Sequence, residues 1–166
     1  YARTRHNVGF LLIERLLERW DRPGQLRRKA AWEAEVGLIE RGGKAVTLLR
    51  PLSYMNLSGG PVASALAFYK ISRDGLLVVC DDVNLPLGTV RLRARGGAGG
   101  HHGLESIAGA LGSQEFGRLR LGVGGGEPGR DLSSFVLGEF TPAEWDVVPK
   151  VLDHAAAAVE MTLDRG

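Results

Sequence analysis

Leu76-Leu77-Val78-Val79-Cys80-Asp81-Asp82 is a run of five apolar residues that ends on two aspartates. It follows the breaker Ser72-Arg73-Asp74-Gly75 and is too short for an independent helix, so it reads as a fully buried strand with acids at its carboxyl end. On either side the pattern alternates. Downstream, the loop Asn84-Leu85-Pro86-Leu87-Gly88 gives way to Thr89–Arg95, where Val90, Leu92 and Ala94 alternate with Arg91, Arg93 and Arg95. That period predicts a strand with one packed and one cationic face. Leu104–Leu111 then reads as a helix, Arg118–Val123 as a strand, and Gly124-Gly125-Gly126-Glu127-Pro128-Gly129 as a surface loop. Thr141-Pro142-Ala143-Glu144 has capping-box spacing, and Pro149 is expected to divide the helical tail into a short and a longer piece.

Upstream, Pro61 suits a first helical position and Val62–Tyr69 continues the helix. Ala31–Ile39 and Ala45–Arg50 are apolar-rich runs joined by Arg41-Gly42-Gly43, which predicts an antiparallel hairpin that Pro51 ends. Ile13, Leu16, Leu17 and Trp20 fall at helical spacing, and Asp21-Arg22-Pro23-Gly24 stops that first helix. Strands alternating with helices give an α/β class with a mixed sheet.

The chain has 166 residues, 44% of them hydrophobic, and no composition break marks a linker, so one compact domain is expected. Cys80 is its only cysteine, which excludes a disulfide framework and a cysteine-rich metal site and suggests a reducing cytoplasm. No apolar stretch approaches the ~20 residues that cross a bilayer, and neither a leader nor a membrane partner is expected. Net charge is only +2, but Arg27-Arg28-Lys29 and the alternating arginines concentrate it, as a polyanion partner would require.

The nucleophile elbow, the phosphate-binding P-loop and the zinc pattern His-Glu-x-x-His are all absent. What remains is His6 at a helix entry, Asn56 in a loop after a strand, Asp81 at the end of the buried strand, and the pair His101-His102 in the glycine loop Gly96–Gly103. Ligands of α/β sheets bind beyond strand carboxyl ends, so these residues are expected to converge on one cleft. An imidazole can act as general base toward water, a carboxylate on its other nitrogen fixes the tautomer, and an amide can orient the water or donate to an oxyanion. Each residue also has a plainer use: a helix cap for His6, turn chemistry for Asp81-Asp82, an Asx turn for Asn56. Adjacent histidines rarely face one ion, so no metal is expected. The glycine loop could instead cradle a phosphate ahead of a helix, with Arg91, Arg93 and Arg95 leading into it.

Three segments carry a family resemblance. Tyr1-Ala2-Arg3-Thr4-Arg5-His6-Asn7-Val8-Gly9 is similar to the Tyr-x-x-Thr-Arg-His-Asn-x-Gly of bacterial peptidyl-tRNA hydrolases. Tyr54-Met55-Asn56-Leu57-Ser58-Gly59 resembles the family's aromatic-Met-Asn-x-Ser-Gly, and Gly99-Gly100-His101-His102-Gly103-Leu104 its Gly-Gly-His-Asn-Gly-Leu. The resemblance implies a three-layer single domain over residues 1–166, a twisted mixed sheet flanked by helices. It implies hydrolysis of the ester between peptide and tRNA, by a cytoplasmic monomer with no cofactor. His6 would be the base, Asp81 the carboxylate that steadies its basic form, and Asn56 a catalytic-centre amide. Tyr1, Tyr54, Asn56 and His102 would hold the tRNA end, with Arg91 and Arg93 on its phosphates. His102 stands where the family has asparagine. The family's opening strand, its Gly-x-Gly-Asn-Pro-Gly loop and its last helix have no counterpart in the chain, from which a destabilised sheet is expected. Two alternatives stay open: a non-catalytic RNA-binding factor, like the plant organelle intron-splicing proteins that resemble this family, and a mononucleotide-binding enzyme built on the glycine loop.

Overall fold

A computed structural model describes residues 5–22, 24–52, 57–124 and 138–165, and for His6 the backbone alone. A 3-10 turn at Arg5–Asn7 leads into helix α1 (Val8–Arg19). Strand β1 (Arg27–Lys29), a 3-10 turn (Ala30–Trp32), β2 (Ala34–Arg41) and β3 (Lys44–Pro51) follow. Then come α2 (Gly59–Tyr69), β4 (Leu77–Asp82), β5 (Val90–Arg93), α3 (His102–Leu111), β6 (Gly117–Gly122) and α4 (Pro142–Arg165). Among the described residues no helix is long and apolar enough to cross a membrane. The backbone divides into two compact units, Tyr1–Leu16 with Leu77–Ala94 and Gly117–Gly166, and Leu17–Leu76 with Arg95–Phe116.

The first unit is built on a mixed sheet in the order β4-β6-β5. The apolar run becomes β4, parallel to β6 with Asp81 opposite Leu121, but Leu77, Val78 and Val79 are half-buried rather than fully buried as expected, because among the described residues β4 has a strand, β6, on one side only; β5 runs antiparallel to β6. Leu119 and Leu121 of the central strand are fully buried, and Val8, Leu12 and Leu16 supply the buried stripe of α1 at four-residue spacing. Gly9 brings α1 close to β4, since a Cβ there would stand 3.1 Å from the Val79 carbonyl oxygen. Cys80 is buried, and desolvation pushes its thiol up to about 12.

The outer strand departs from expectation. Leu92 is 47% exposed and Ala94 is exposed, so the predicted packed face is reduced to half-covered Val90. β5 is four residues long and, among the described residues, has β6 as its only strand neighbour, and alternation alone cannot supply a layer to cover its second face. The tail departs too. α4 runs unbroken through Pro149, flanked by buried Val148, Val151 and Leu152 and continuing along Ala155, Ala156 and Val159. A proline inside a helix removes one backbone bond, at a cost of about 3 kcal/mol. Burial contributes roughly 1.5–3 kcal/mol per large aliphatic side chain, so that stripe outweighs the lost bond. The capping box forms as expected: Glu144 N–H donates to Thr141 Oγ1 at 3.1 Å and Thr141 N–H to Glu144 Oε1 at 2.9 Å.

In the second unit, β2 and β3 form the expected hairpin, closed between Arg41 and Lys44 with Gly42 and Gly43 at φ +58° and +79°, the left-handed pair that two-residue turns of this twist require. Ala31 lies in the 3-10 turn, and β2 begins only at Ala34. A third strand, β1, adds antiparallel to β2; its residues Arg27-Arg28-Lys29 carry no apolar period by which a sequence would betray a strand. α2 begins at Gly59, two residues before Pro61, and packs on α3 so closely that a Cβ on Gly59 would overlap the Ser106 carbonyl. The Gly59 N–H donates to Ser106 Oγ at 2.8 Å.

Candidate active site

The two aspartates that end β4 divide their duties. Asp82 performs the turn chemistry: its Oδ1 accepts from Asn84 N–H at 2.8 Å and its Oδ2 lies 3.7 Å from Arg120 Nη1. Side chains alternate across a strand, so Asp81 turns to the other face, the face of Leu121, and is 4% exposed. The turn Arg5–Asn7 lies against this same strand, so the backbone of His6 is brought alongside the strand whose end carries Asp81. A carboxylate buried to this degree is sustained only by cationic or hydrogen-bonding neighbours.

The loop 84–88 closes over the end of β6. Gly124 N–H donates to the Leu85 carbonyl at 2.9 Å, Gly122 N–H to that of Thr89 at 2.8 Å, and a Cβ on Gly122 would overlap the Pro86 carbonyl. Glycine at 122 is therefore a packing requirement at the rim of the strand ends where Asp81 sits.

In the second unit the glycine loop leads into α3, which starts at His102, earlier than the predicted Leu104. His101 is the N-cap: its Nδ1 accepts from Leu104 N–H at 3.2 Å. His102 occupies the first helical position with its side chain 76% exposed and Nδ1 3.7 Å from Glu105 Oε2, a loose pairing worth little in water. The adjacent histidines thus take different tasks. Among the described residues no group of three metal-ligating side chains comes together.

One electrostatic feature escaped the sequence reading. Arg91 stands opposite Arg120 and Arg93 opposite Arg118, so two strands place four guanidinium groups on one sheet face. Arg118 is 1% exposed and its pKa is lowered, first by burial and then by the neighbouring Arg120. Like charges directly opposite one another oppose pairing, and on that face the Asp82 carboxylate, 3.7 Å from Arg120, offsets part of the repulsion. The signal was available: Arg118-Leu119-Arg120-Leu121 repeats the alternation of Arg91-Leu92-Arg93. Arg5 was likewise passed over; 8% exposed, it donates from Nη2 to Glu144 Oε1 at 2.7 Å. Tyr1, Tyr54, Asn56 and most of the loop 124–129 lie outside the described residues.

These features define an α/β protein in which a histidine-bearing helix entry lies against the strand that ends on a buried acid, with a cationic sheet face. The family model for peptidyl-tRNA hydrolase matches residues 1–166. A peptidyl-tRNA hydrolase of Synechococcus sp. (strain JA-2-3B'a(2-13)) is 47% identical over 166 residues, all of this chain and 73% of that protein. The one from Thermotoga maritima is 44% identical over 167 residues, 100% of this chain and 86% of that protein. The crystal structure of the Acinetobacter baumannii peptidyl-tRNA hydrolase superposes with a TM-score of 0.89 at 34% identity, covering 99% of this chain and 82% of that one. The chain belongs to the peptidyl-tRNA hydrolase family, and its fold is the α/β fold of that family.

Proposed function

We propose that this chain, working as one domain over residues 1–166, hydrolyses the ester between the peptide carboxyl and the ribose of the tRNA 3′ end. His6 takes a proton from water, the resulting hydroxide attacks the ester carbonyl, and the ribose oxygen leaves with the proton returned by His6. Asp81 holds the imidazole in its basic tautomer and stabilises the imidazolium, while Asn56 positions the water or donates to the oxyanion. Tyr1, Tyr54, Asn56 and His102 hold the tRNA end, and Arg91 and Arg93 meet its phosphates from the cationic face. The set needs no metal and no cofactor, and we read the protein as a cytoplasmic monomer.

The observation that carries this reading is the turn bearing His6 set against β4, whose end buries Asp81, in a chain that matches its family from end to end. The test is release of N-acetyl-aminoacyl groups from tRNA at stated salt, against unblocked aminoacyl-tRNA and a His6→Ala chain. Selective, His6-dependent cleavage is expected; tight RNA binding without cleavage would move the protein to the non-catalytic alternative.

A further inference from the structure

Arg5 sits in the motif that carries His6, yet the esterase chemistry gives it no task. Its surroundings supply one. The Arg5 guanidinium is the donor to Glu144 Oε1 at 2.7 Å, with the two side chains 10% and 25% exposed. The Arg5 backbone N–H donates to the Gly138 carbonyl at 3.1 Å, and its guanidinium carbon lies 5.8 Å from the centre of the Phe140 ring. Phe140 in turn stacks on Trp145 at 5.5 Å and 17°. Glu144 Oε1 also accepts the Thr141 N–H, so one carboxylate oxygen serves both the helix cap and the arginine. Side chain, backbone and ring contact thus all tie residue 5 to the entry of α4.

We propose that Arg5 and Glu144 are positioning residues for the ester hydrolysis, an inference that rests on the esterase reading. Residue 5 immediately precedes His6, and on the other side Gly9 is seated against the Val79 carbonyl. The turn is therefore held at both ends, and the path of the His6 backbone along β4 follows from where those ends are fixed. A charge-assisted bond between poorly exposed groups is short and directional, and removing either partner loosens the tie between the turn and the entry of α4. General-base catalysis is sensitive to displacements of about 1 Å, which can cost roughly 100-fold in rate.

The test compares the wild-type chain with Arg5→Met, Arg5→Lys and Glu144→Gln, measuring kcat and KM on N-acetyl-aminoacyl-tRNA well below each chain's own melting temperature. Arg5→Met is expected to lose roughly 10- to 100-fold in kcat with KM within about twofold of wild type. Arg5→Lys should recover part of that loss. Glu144→Gln keeps an oxygen for the Thr141 N–H but not the charge, so it should fall between wild type and Arg5→Met; it also serves if Arg5→Met does not fold. Unchanged kcat in both Arg5→Met and Glu144→Gln would overturn the inference. So would a loss that merely follows the folded fraction, or one carried by KM, which would make Arg5 a substrate contact. A wild-type chain that does not cleave overturns the esterase reading and this inference together, whereas an active wild type with unaffected variants overturns this one alone.

Discussion

Two helices of this protein begin beside a histidine, and they are held in opposite ways. At α3 the arrangement is local: His101 caps the N–H of Leu104, three residues on. At α1 it is distant: the residue before His6 is tied to Glu144, 139 positions along the chain. A locally held entry survives changes elsewhere in the fold and can be read from a few letters of sequence. A remotely held one depends on tertiary packing and is adjusted by residues far along the chain, which suits the entry that carries the base we propose.

The largest expected effect separates the two histidine entries outright. His6→Ala should lower kcat by about 1,000-fold or more while tRNA binding is retained, measured by turnover beside a filter-binding assay; equal losses from His101→Ala would erase the contrast. Next, Asp81→Asn removes the carboxylate but keeps its shape, and kcat should fall roughly 100-fold with the melting temperature little changed in direction or size.

A pH series sharpens the remote anchor. Burial pushes the Glu144 carboxyl up, but the Thr141 N–H and the Arg5 guanidinium outweigh it and hold the group below the ordinary carboxylate range. A folded pKa below the unfolded one contributes stability that is present above the unfolded value and lost as pH falls through the folded one. Melting temperature should therefore drop more steeply below about pH 5 in wild type than in Glu144→Gln, and parallel curves would refute the assignment. Smaller still, His101→Ala should cost about 1 kcal/mol in chemical denaturation, the usual worth of an N-cap. The least is His102→Asn, which restores the family's residue at an exposed position; a change of a few-fold in KM, with kcat constant, is expected.

What was legible in the sequence follows the same division between near and far. Gly42-Gly43, Thr141 with Glu144, and the run into Asp81 announced their structures because the interactions that fix them span two to four residues or one strand. Strand β1 was invisible, since three basic residues become a strand only through β2. The continuity of α4 at Pro149 depends on a buried stripe that outweighs a local penalty, and the exposure of Leu92 depends on β5 being the outer strand among the described residues. Asp81 could be nominated from sequence but not separated from Asp82 until the strand's alternation assigned one to the turn and the other to the buried face. The arginine quartet needed the register of β5 on β6. The Arg5–Glu144 pair had no sequence signal beyond membership of two motifs at opposite ends of the chain.

Cys80 has a practical consequence. It is the chain's one cysteine, and its thiol is enclosed and held at about 12, so the thiolate that reacts with maleimides and iodoacetamides is scarcely formed at neutral pH. The folded protein thus offers a silent background for labelling. A single cysteine introduced at an exposed position such as Glu105 or Lys150 would take a fluorophore selectively, without first removing the native sulfur.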